Sequence, residues 1–169
     1  ASTLKWAPTN TTGLKTSLTN IICTPSSGAA LTATFTGDTD GSDNWAEICA
    51  VDPEGTQDPA TNYPIFYFAN TYGSTAGLTG TNYETGWYVP SIAELCEVYK
   101  NKDVIQTSLT KASGFTIGTN SYWSSSQFPG ASPNWDYPIA YQMQFIDDGD
   151  VRSNGKQYTN YVFVLHALT

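Results

Sequence analysis

Few side chains in this 169-residue sequence could carry out catalysis. His166 is the single histidine, and it lies in the apolar segment YVFVLHAL, where a strand-packed or exposed histidine is the alternative to a catalytic base. Asp147, Asp148 and Asp150 could supply the paired carboxylates of a hydrolase, but IDDGDV is typical of a tight turn between two strands. The GxSxG, HExxH, GxGxxG and GxxxxGK[ST] motifs are absent from the sequence. We therefore expect no enzymatic activity and no cofactor.

Metal binding is suggested at one group of carboxylates, Asp38, Asp40 and Asp43 in GDTDGSDNW, because calcium prefers clustered oxygen ligands. A calcium loop has a glycine at its sixth position and a bidentate glutamate at its twelfth. Here those positions are Asp43 and Cys49. A polar loop that caps the following NWAEIC segment is the alternative that we favour, and it predicts no metal ion.

The composition argues against several classes of partner. The net charge is −8 and the sequence has no run of Lys or Arg, so nucleic acid and anionic membrane surfaces would be repelled. No apolar stretch approaches the roughly 18–20 residues that span a bilayer, so we expect no membrane insertion by this domain. Charged residues make up only 13% of the chain, against 40% apolar residues, which is typical of a packed, exported domain with a neutral polar surface.

The three cysteines, Cys23, Cys49 and Cys96, cannot all pair within the chain. Cys96 falls on the apolar face of a predicted helix, where it acts as a small buried hydrophobic residue. Cys23 and Cys49 could form a disulfide in an exported protein or remain two buried thiols. The spacing does not decide between these alternatives.

Two to three helices are predicted in the first two-thirds of the chain. The clearest covers 90–102, where Ser91 and Glu94 form a capping box. A second, weaker helix follows over 103–114, and a third covers 63–73. The apolar side chains that share one face of the first helix are Ile92, Leu95, Cys96 and Tyr99.

Short strands are predicted at 4–8, 31–37 and 86–90, each bounded by Pro or Gly. The C-terminal third contains four further β-type segments: SYWSSS, PIAYQMQFID, GDVRS and NYVFVLHALT. Helices followed by a series of strands predict one α+β domain over residues 1–169, with a mainly antiparallel sheet from the C-terminal third.

The segment PIAYQMQF alternates between apolar and polar side chains, so it predicts a strand with two different faces. Met143 and Phe145 are expected to fill the core, and Gln142 and Gln144 to face a ligand. The preceding connection, SQFPGASPNWDY, holds Phe128, Trp135 and Tyr137 among Pro, Gly and Ser. Aromatic side chains on such a long loop are typical of an exposed binding surface, as in antibody loops.

The segments GWYVPSIAELCEVYKNK, SYWSSSQ, AYQMQF, DGDV and YVFVLHAL resemble the motifs of a bacterial family. Those motifs are G-W-x-x-P-[ST]-x-x-E-L, Y-W-S-S-[ST], F-x-x-G-x-V and V-R-x-V-R-A-F, and the family consists of C-type-lectin-like domains related in fold to formylglycine-generating enzymes. The resemblance covers residues 86–168, while LKWAPTNTTG and FTGDTDGSDNW are similar to treponemal members. The chain keeps Trp87, Pro90, Glu94, Leu95, Trp123, Ser124, Ser125, Phe145 and Gly149 of the family pattern. It departs from the pattern at Phe163, His166 and Leu168.

This resemblance implies a C-type-lectin-like fold and, through the treponemal members, a variable protein of a diversity-generating retroelement. In such systems an error-prone reverse transcriptase rewrites adenine-containing codons near the 3′ end of the gene, and the scaffold displays the altered residues. The resemblance also implies an exported, lipid-anchored protein of the outer membrane. The related enzymes use a late pair of cysteines, and this chain has none after Cys96, so no oxidase activity is implied.

We therefore expect residues 1–121 to form a scaffold and residues 122–169 to form a variable, ligand-binding part of a monomeric protein. Its partner would be a protein or a glycan. The candidate binding residues are Phe128, Trp135, Asp136, Tyr137, Gln142, Gln144, Asp147, Asp150, Arg152, Ser153, Tyr158, Asn160, Tyr161, Phe163 and His166. The alternatives are a fixed carbohydrate-binding or adhesive domain of the same fold and, less favoured, a purely structural surface module.

Overall fold

A computed structural model describes residues 3–113, 116–131 and 136–167 of the chain. Those residues form a mixed α+β structure, as the sequence predicts. The helices α1 to α6 are Thr12–Lys15, Asn44–Val51, Pro59–Asn62, Pro64–Thr75, Ile92–Lys100 and Lys102–Ser113. The strands β1 to β9 are Thr3–Lys5, Cys23–Pro25, Phe35–Gly37, Trp87–Tyr88, Ser121–Ala131, Pro138–Gln144, Asp150–Gly155, Thr159–Val162 and Leu165–His166.

The three predicted helices are present as α4, α5 and α6, but the predicted number of two to three is wrong. Six α-helices lie within the described residues. The helices α1 and α3 have only four residues each, too few to show an apolar period, and the side chains of Thr11 and Asp58 cap them. The helix α2 buries only Asn44 and Ile48, so its sequence carries no clear apolar stripe.

The capping box predicted at the start of α5 is confirmed. The Ser91 hydroxyl accepts a hydrogen bond from the Glu94 N–H at 3.2 Å, and the Glu94 carboxylate accepts one from the Ser91 N–H at 2.9 Å. Each side chain thus satisfies a backbone N–H that has no partner within the helix. This local arrangement sets the start of α5 beside the sheet, where the Ile92 N–H donates to the Ser126 hydroxyl at 3.0 Å.

A five-stranded sheet carries the C-terminal third, in the order β1-β8-β5-β6-β7. Its pairs are antiparallel except β5 with β8, which is parallel. The sheet is therefore mainly antiparallel, as predicted, and the N-terminal strand β1 joins it at one edge. Two small sheets, β2-β3 and β4-β9, lie beside it. No helix in the described ranges has both the length and the apolar character needed to cross a membrane.

The two faces of the large sheet contact different apolar clusters. Trp123 is fully buried in a cluster with Trp6 and Phe66, whose rings lie 5.0 Å apart. The neighbouring Tyr122 belongs instead to a cluster with Tyr99, Met143 and Phe145, which packs on α5. Because successive side chains of a strand point to opposite faces, β5 contributes to both clusters. The predicted burial of Met143 and Phe145 is confirmed, at 0% and 4% exposure.

The three cysteines are free, so Cys23 and Cys49 are not joined by a disulfide. Burial raises the pKa of Cys23 to about 11 and that of Cys96 to about 12, which keeps both as unreactive thiols at neutral pH. The predicted burial of Cys96 is confirmed, and its Sγ lies 3.6 Å from the Sδ of Met143. Cys49, by contrast, is only half-buried.

A fully buried lysine, Lys156, follows strand β7. Its Nζ lies 3.0 Å from the side-chain oxygen of Gln127 and 4.1 Å from the ring centroid of Trp6. The carbonyl oxygens of Gly13 and Thr16 lie within 3.5 Å and 3.4 Å of the same nitrogen. The side chain therefore links the turn after β7 to α1, at the other end of the sequence.

Candidate functional site

Five of the candidate residues lie together with Asn154 on a single face of the large sheet. We name this group the amide face and define it as Gln142, Gln144, Asp150, Arg152, Asn154 and Asn160. In the antiparallel register of β6 and β7, Gln142 is opposite Arg152, Gln144 is opposite Asp150, and Ala140 is opposite Asn154. Directly opposed side chains point to the same side of a sheet, so the alternation predicted for PIAYQMQF brings these residues together.

The centre of the amide face is a hydrogen-bonded group of three side-chain amides. The side-chain oxygen of Gln142 accepts hydrogen bonds from Asn160 at 2.5 Å and from Asn154 at 3.2 Å. Gln142 and Asn160 are only 8% and 9% exposed. The expectation that these two residues face a ligand is therefore corrected, because β6 is an inner strand and both β7 and β8 supply hydrogen-bonding partners on this face.

The exposed part of the amide face lies on the edge strand β7. The Nε of Arg152 donates to the Asp150 carboxylate at 2.7 Å, and this hydrogen bond raises the pKa of the guanidinium. The two side chains remain 58% and 33% exposed. Gln144, on β6, is half-buried beside them. These three side chains offer donors, acceptors and one charge pair to a ligand.

The aromatic candidates Phe128, Tyr161 and Phe163 pack on the other side of the sheet. Tyr161 alternates with Asn160 along β8, so it points away from the amide face. Phe163 packs against Tyr122 at 4.7 Å between ring centroids, and Phe128 packs against Tyr141 at 5.3 Å. Tyr161, Phe163 and Phe128 are partly buried at the margin of the α5 cluster, so they lie apart from the amide face.

The connection between β5 and β6 contains two described candidates, Asp136 and Tyr137, while Trp135 lies outside the described residues. Asp136 is exposed. The Tyr137 hydroxyl accepts a hydrogen bond from the side-chain amide of Gln157 at 2.6 Å, and desolvation raises its pKa. Tyr137 also packs on the Trp6 cluster, so this side chain is half-buried.

Three further candidates are exposed at separate places near β7. Asp147 lies in the β6–β7 turn with a positive φ of 42°, which confirms the predicted turn in IDDGDV. Ser153 lies opposite Tyr141 and therefore points away from the amide face. Tyr158 is 48% exposed and follows β7 by three residues. These residues do not extend the amide face into a single larger patch.

His166 lies on β9, opposite Trp87 of β4. Its ring packs edge-on against Trp87 at 5.0 Å and against Tyr83 at 5.2 Å. Its Nε2 is 2.9 Å from the carbonyl oxygen of Thr85, so as an N–H it donates to the backbone. These contacts make His166 a packing residue of the small β4-β9 sheet.

The acidic loop before α2 is arranged by backbone hydrogen bonds. Asp38 accepts from the Asp40 N–H at 3.2 Å, and Asp40 accepts from the Ser42 N–H at 2.9 Å. Asp43 precedes α2 but its side chain makes no capping hydrogen bond, contrary to the predicted cap. In the ranges given above, no group of three or more His, Cys, Asp or Glu side chains is placed to hold a metal ion.

Asn154 is a member of the amide face that the candidate list lacks. A signal for it was present in the sequence, because it lies two residues after Arg152 on the same strand and therefore on the same face. Its hydrogen bond to Gln142 could not be predicted from the sequence, since that contact depends on the register of β6 and β7. Together, the face combines buried neutral amides with an exposed ion pair, which suits hydrogen bonding to hydroxyl or peptide groups.

The residues that follow the family pattern described above are mostly structural. Trp123, Ser124 and Ser125 are fully buried. The indole N–H of Trp6 donates to the Ser124 carbonyl at 3.1 Å, and the Ser125 N–H donates to the Pro90 carbonyl at 2.8 Å. These bonds link β5 to the segment that follows β1 and to the segment that precedes α5. The chain matches no protein-family model, no curated protein and no solved structure.

Proposed function

We propose that this chain is a non-enzymatic ligand-binding domain of C-type-lectin-like fold. It is exported to the cell surface as a lipid-anchored protein, and residues 122–169 form its variable part. A retroelement diversifies that part, and the altered residues bind protein or glycan ligands without a metal or a cofactor. The amide face is the site at which we place this binding.

The observation that carries the proposal is the position of Gln144, Asp150 and Arg152 on adjacent strands of one sheet face. Their side chains are exposed or half-buried, so substitution there changes the surface without opening the core. The buried amides of Gln142 and Asn160 lie beside them. A variable surface needs such a rigid support, because ordering a mobile surface on binding costs affinity.

The family pattern supplies the second argument. Residues that follow the pattern, such as Trp123 and Ser124, are buried and hydrogen bonded, and Gly149 has a φ of 74° that favours glycine. Arg152 and Gln144 lie in the proposed variable part and are not positions of the family pattern. A constant interior with a changeable surface is the arrangement that repeated diversification requires.

Deep sequencing of this gene from many cells of one culture and from several isolates tests the proposal. We expect substitutions to concentrate after codon 122, at adenine-containing codons such as that of the surface residue Gln144, since both glutamine codons contain adenine. The codons of Trp123, Ser124 and Gly149 should stay constant. An equal substitution frequency before and after codon 122 would contradict diversification.

A fixed carbohydrate-binding domain is the second candidate, and the neutral amides of the face favour it, since amides donate to and accept from sugar hydroxyls. A glycan array probed with the wild-type chain and with an Arg152→Ala, Gln144→Ala double variant separates the two functions. Glycan binding that the double variant loses, in a gene that does not vary, identifies the fixed binder. If the domain is instead diversified to bind many different proteins, we expect variable gene sequences and no glycan that all variants bind.

A further inference from the structure

A second cleft, away from the amide face, lies between α2, α4 and the β4-β9 sheet. It has a volume of about 370 Å³, within the range of small-molecule sites. Trp45 of α2 and Trp87 and Tyr88 of β4 line it, and all three side chains are half-buried. Asn70 of α4 and Ser42 supply polar side chains at the same cleft. The residues of this cleft precede the proposed variable part, apart from Ala167.

The polar atoms of two of these rings already have partners in the protein. The indole N–H of Trp87 donates to the Tyr83 carbonyl at 2.7 Å, and the Tyr88 hydroxyl donates to the Glu94 carboxylate at 2.9 Å. Trp45 also stacks on Phe66, and Trp87 packs against Tyr72 and His166, so these rings offer to a ligand the aromatic carbon surface that those contacts leave open. A sugar, with its many hydroxyl groups, would find few hydrogen-bonding partners here.

The charges around the cleft favour a cation. In the described part of the chain, no charged side chain lines it, and the lining segments 41–46, 66–70 and 86–89 contain no Lys or Arg. Asp40 and Asp43 are adjacent in sequence to the lining residues Gly41 and Ser42, and the Glu94 carboxylate accepts a hydrogen bond from the Tyr88 hydroxyl. A carboxylate that accepts a hydrogen bond from a phenol makes the phenol ring more electron-rich, which strengthens its attraction for a cation.

We propose that this cleft binds a trimethylammonium group, the cationic end of choline-type compounds. Such a group carries its charge on methyl groups, needs no hydrogen bond, and is attracted to the electron-rich faces of Trp and Tyr rings. Trp45, Trp87 and Tyr88 supply the rings, and the net charge of −8 supplies a favourable field. The proposal does not depend on the binding function proposed for the amide face.

Titration of the intrinsic tryptophan fluorescence with choline chloride tests this inference, with 3,3-dimethylbutan-1-ol as the control. The control has the same shape but a neutral carbon in place of the nitrogen. We expect saturable choline binding that is at least about tenfold tighter than binding of the control, because only choline gains the cation–π attraction. Absent choline binding, or equal binding of the two compounds, would overturn the proposal.

A surface variant localises the binding without disturbing the core. Asn70→Arg places a positive charge at the exposed cleft residue and should weaken choline binding by about tenfold or more. Ser74→Arg adds the same charge one turn further along α4, outside the cleft, and should change the affinity by less than about twofold. Equal affinities of these two variants would place choline elsewhere and contradict the assignment.

The source of the trimethylammonium group is distinguished by phosphatidylcholine vesicles. Co-sedimentation with such vesicles that free choline reverses identifies a lipid headgroup as the ligand, whereas choline binding without co-sedimentation identifies a free compound. Arg152→Ala should leave both measurements unchanged, so failure of the amide-face function and failure of this one are separable. Vesicle binding that Asn70→Arg does not reduce would count against the cleft.

Discussion

The side-chain oxygen of Gln142 on β6 accepts a hydrogen bond from the side-chain amide of Asn160 on β8, at 2.5 Å, across the intervening strand β5. Asn154 on β7 donates to the same oxygen at 3.2 Å. One buried amide thus joins three strands on the face that we propose binds ligand. The exposed Arg152 and the half-buried Gln144 can change without breaking this connection.

Gln142→Leu should destabilise the fold by about 1 to 3 kcal/mol, because it leaves the buried amide of Asn160 and the half-buried amide of Asn154 without their acceptor. Urea unfolding followed by far-UV circular dichroism measures the loss. Gln144→Ala is the matched control, since Gln144 lies on the same face of the same strand but is only half-buried, and we expect it to cost less than about 0.5 kcal/mol. Equal losses of stability in the two variants would show that the hydrogen-bonded amides do not stabilise the sheet.

The stability of the protein should increase as the pH rises from about 7 to about 9. Burial lowers the pKa of Lys156 to about 7, from an ordinary value of 10.5. Between these values the unfolded chain binds more protons than the folded chain, so raising the pH favours folding, by about 2 kcal/mol over this interval. Urea unfolding at several pH values measures the slope.

Lys156→Met is the control for that pH dependence, since it keeps an unbranched side chain but cannot ionise. The rise in stability between pH 7 and about 9 should be much smaller in this variant. A slope that is the same in the variant and the wild type would assign the pH dependence to other groups.

The hydroxyl of Tyr63 donates to the Asp52 carboxylate at 2.7 Å, and its removal should weaken the fold in a pH-dependent way. Burial raises the pKa of Asp52, but hydrogen bonds from Tyr63, the Gly55 N–H and two threonines outweigh it and hold the pKa below 3.8. The stability that this lowered pKa contributes is present when the pH is above the ordinary pKa of an aspartate. It is lost as the pH falls through the pKa of Asp52 in the folded state. Tyr63→Phe should lower the free energy of unfolding by about 1 to 3 kcal/mol at neutral pH. On acidification this variant should lose less stability than the wild type.

Thermal unfolding of Tyr63→Phe at neutral and acid pH, beside the wild type, measures both effects. Tyr67→Phe removes the same atom from an exposed tyrosine one turn along α4, and it should cost less than about 0.5 kcal/mol. The assignment to Asp52 fails if the acid-induced loss of stability is undiminished in Tyr63→Phe.

Gly149→Ala should destabilise the protein more than Gly77→Ala, although both glycines have a φ of 74°. An alanine Cβ at Gly77 meets no atom within 4 Å, so its cost is backbone strain alone, about 1 to 2 kcal/mol. At Gly149 the added Cβ would lie 2.7 Å from the Cβ of Ala30 and 2.8 Å from the Tyr99 ring, which adds about 1 to 3 kcal/mol of overpacking. Chemical denaturation of both variants measures the difference, and equal losses would contradict the close packing.

Several elements could be predicted from the sequence because the interactions that form them join residues only a few positions apart. The start of α5 depends on Ser91 and Glu94, three residues apart, and its buried face on an apolar repeat. The alternation along β6 placed Met143 in the core and Gln142 and Gln144 on one face. The same two-residue period groups Asp150 with Arg152, so much of the amide face followed from local pattern.

The remaining features depend on strand order and on contacts between distant segments, which no local pattern encodes. Gln142 is polar, and its burial is explained by the hydrogen bond that it accepts from Asn160 of β8. Lys156 is fully buried because the carbonyl of Gly13, 143 residues away in sequence, and the ring of Trp6 surround its Nζ. The sequence by itself thus determined the mixed α+β class, α5 and the two faces of β6. The tertiary structure decided which polar side chains are enclosed, because desolvation is set by neighbours in space and not by neighbours in the chain.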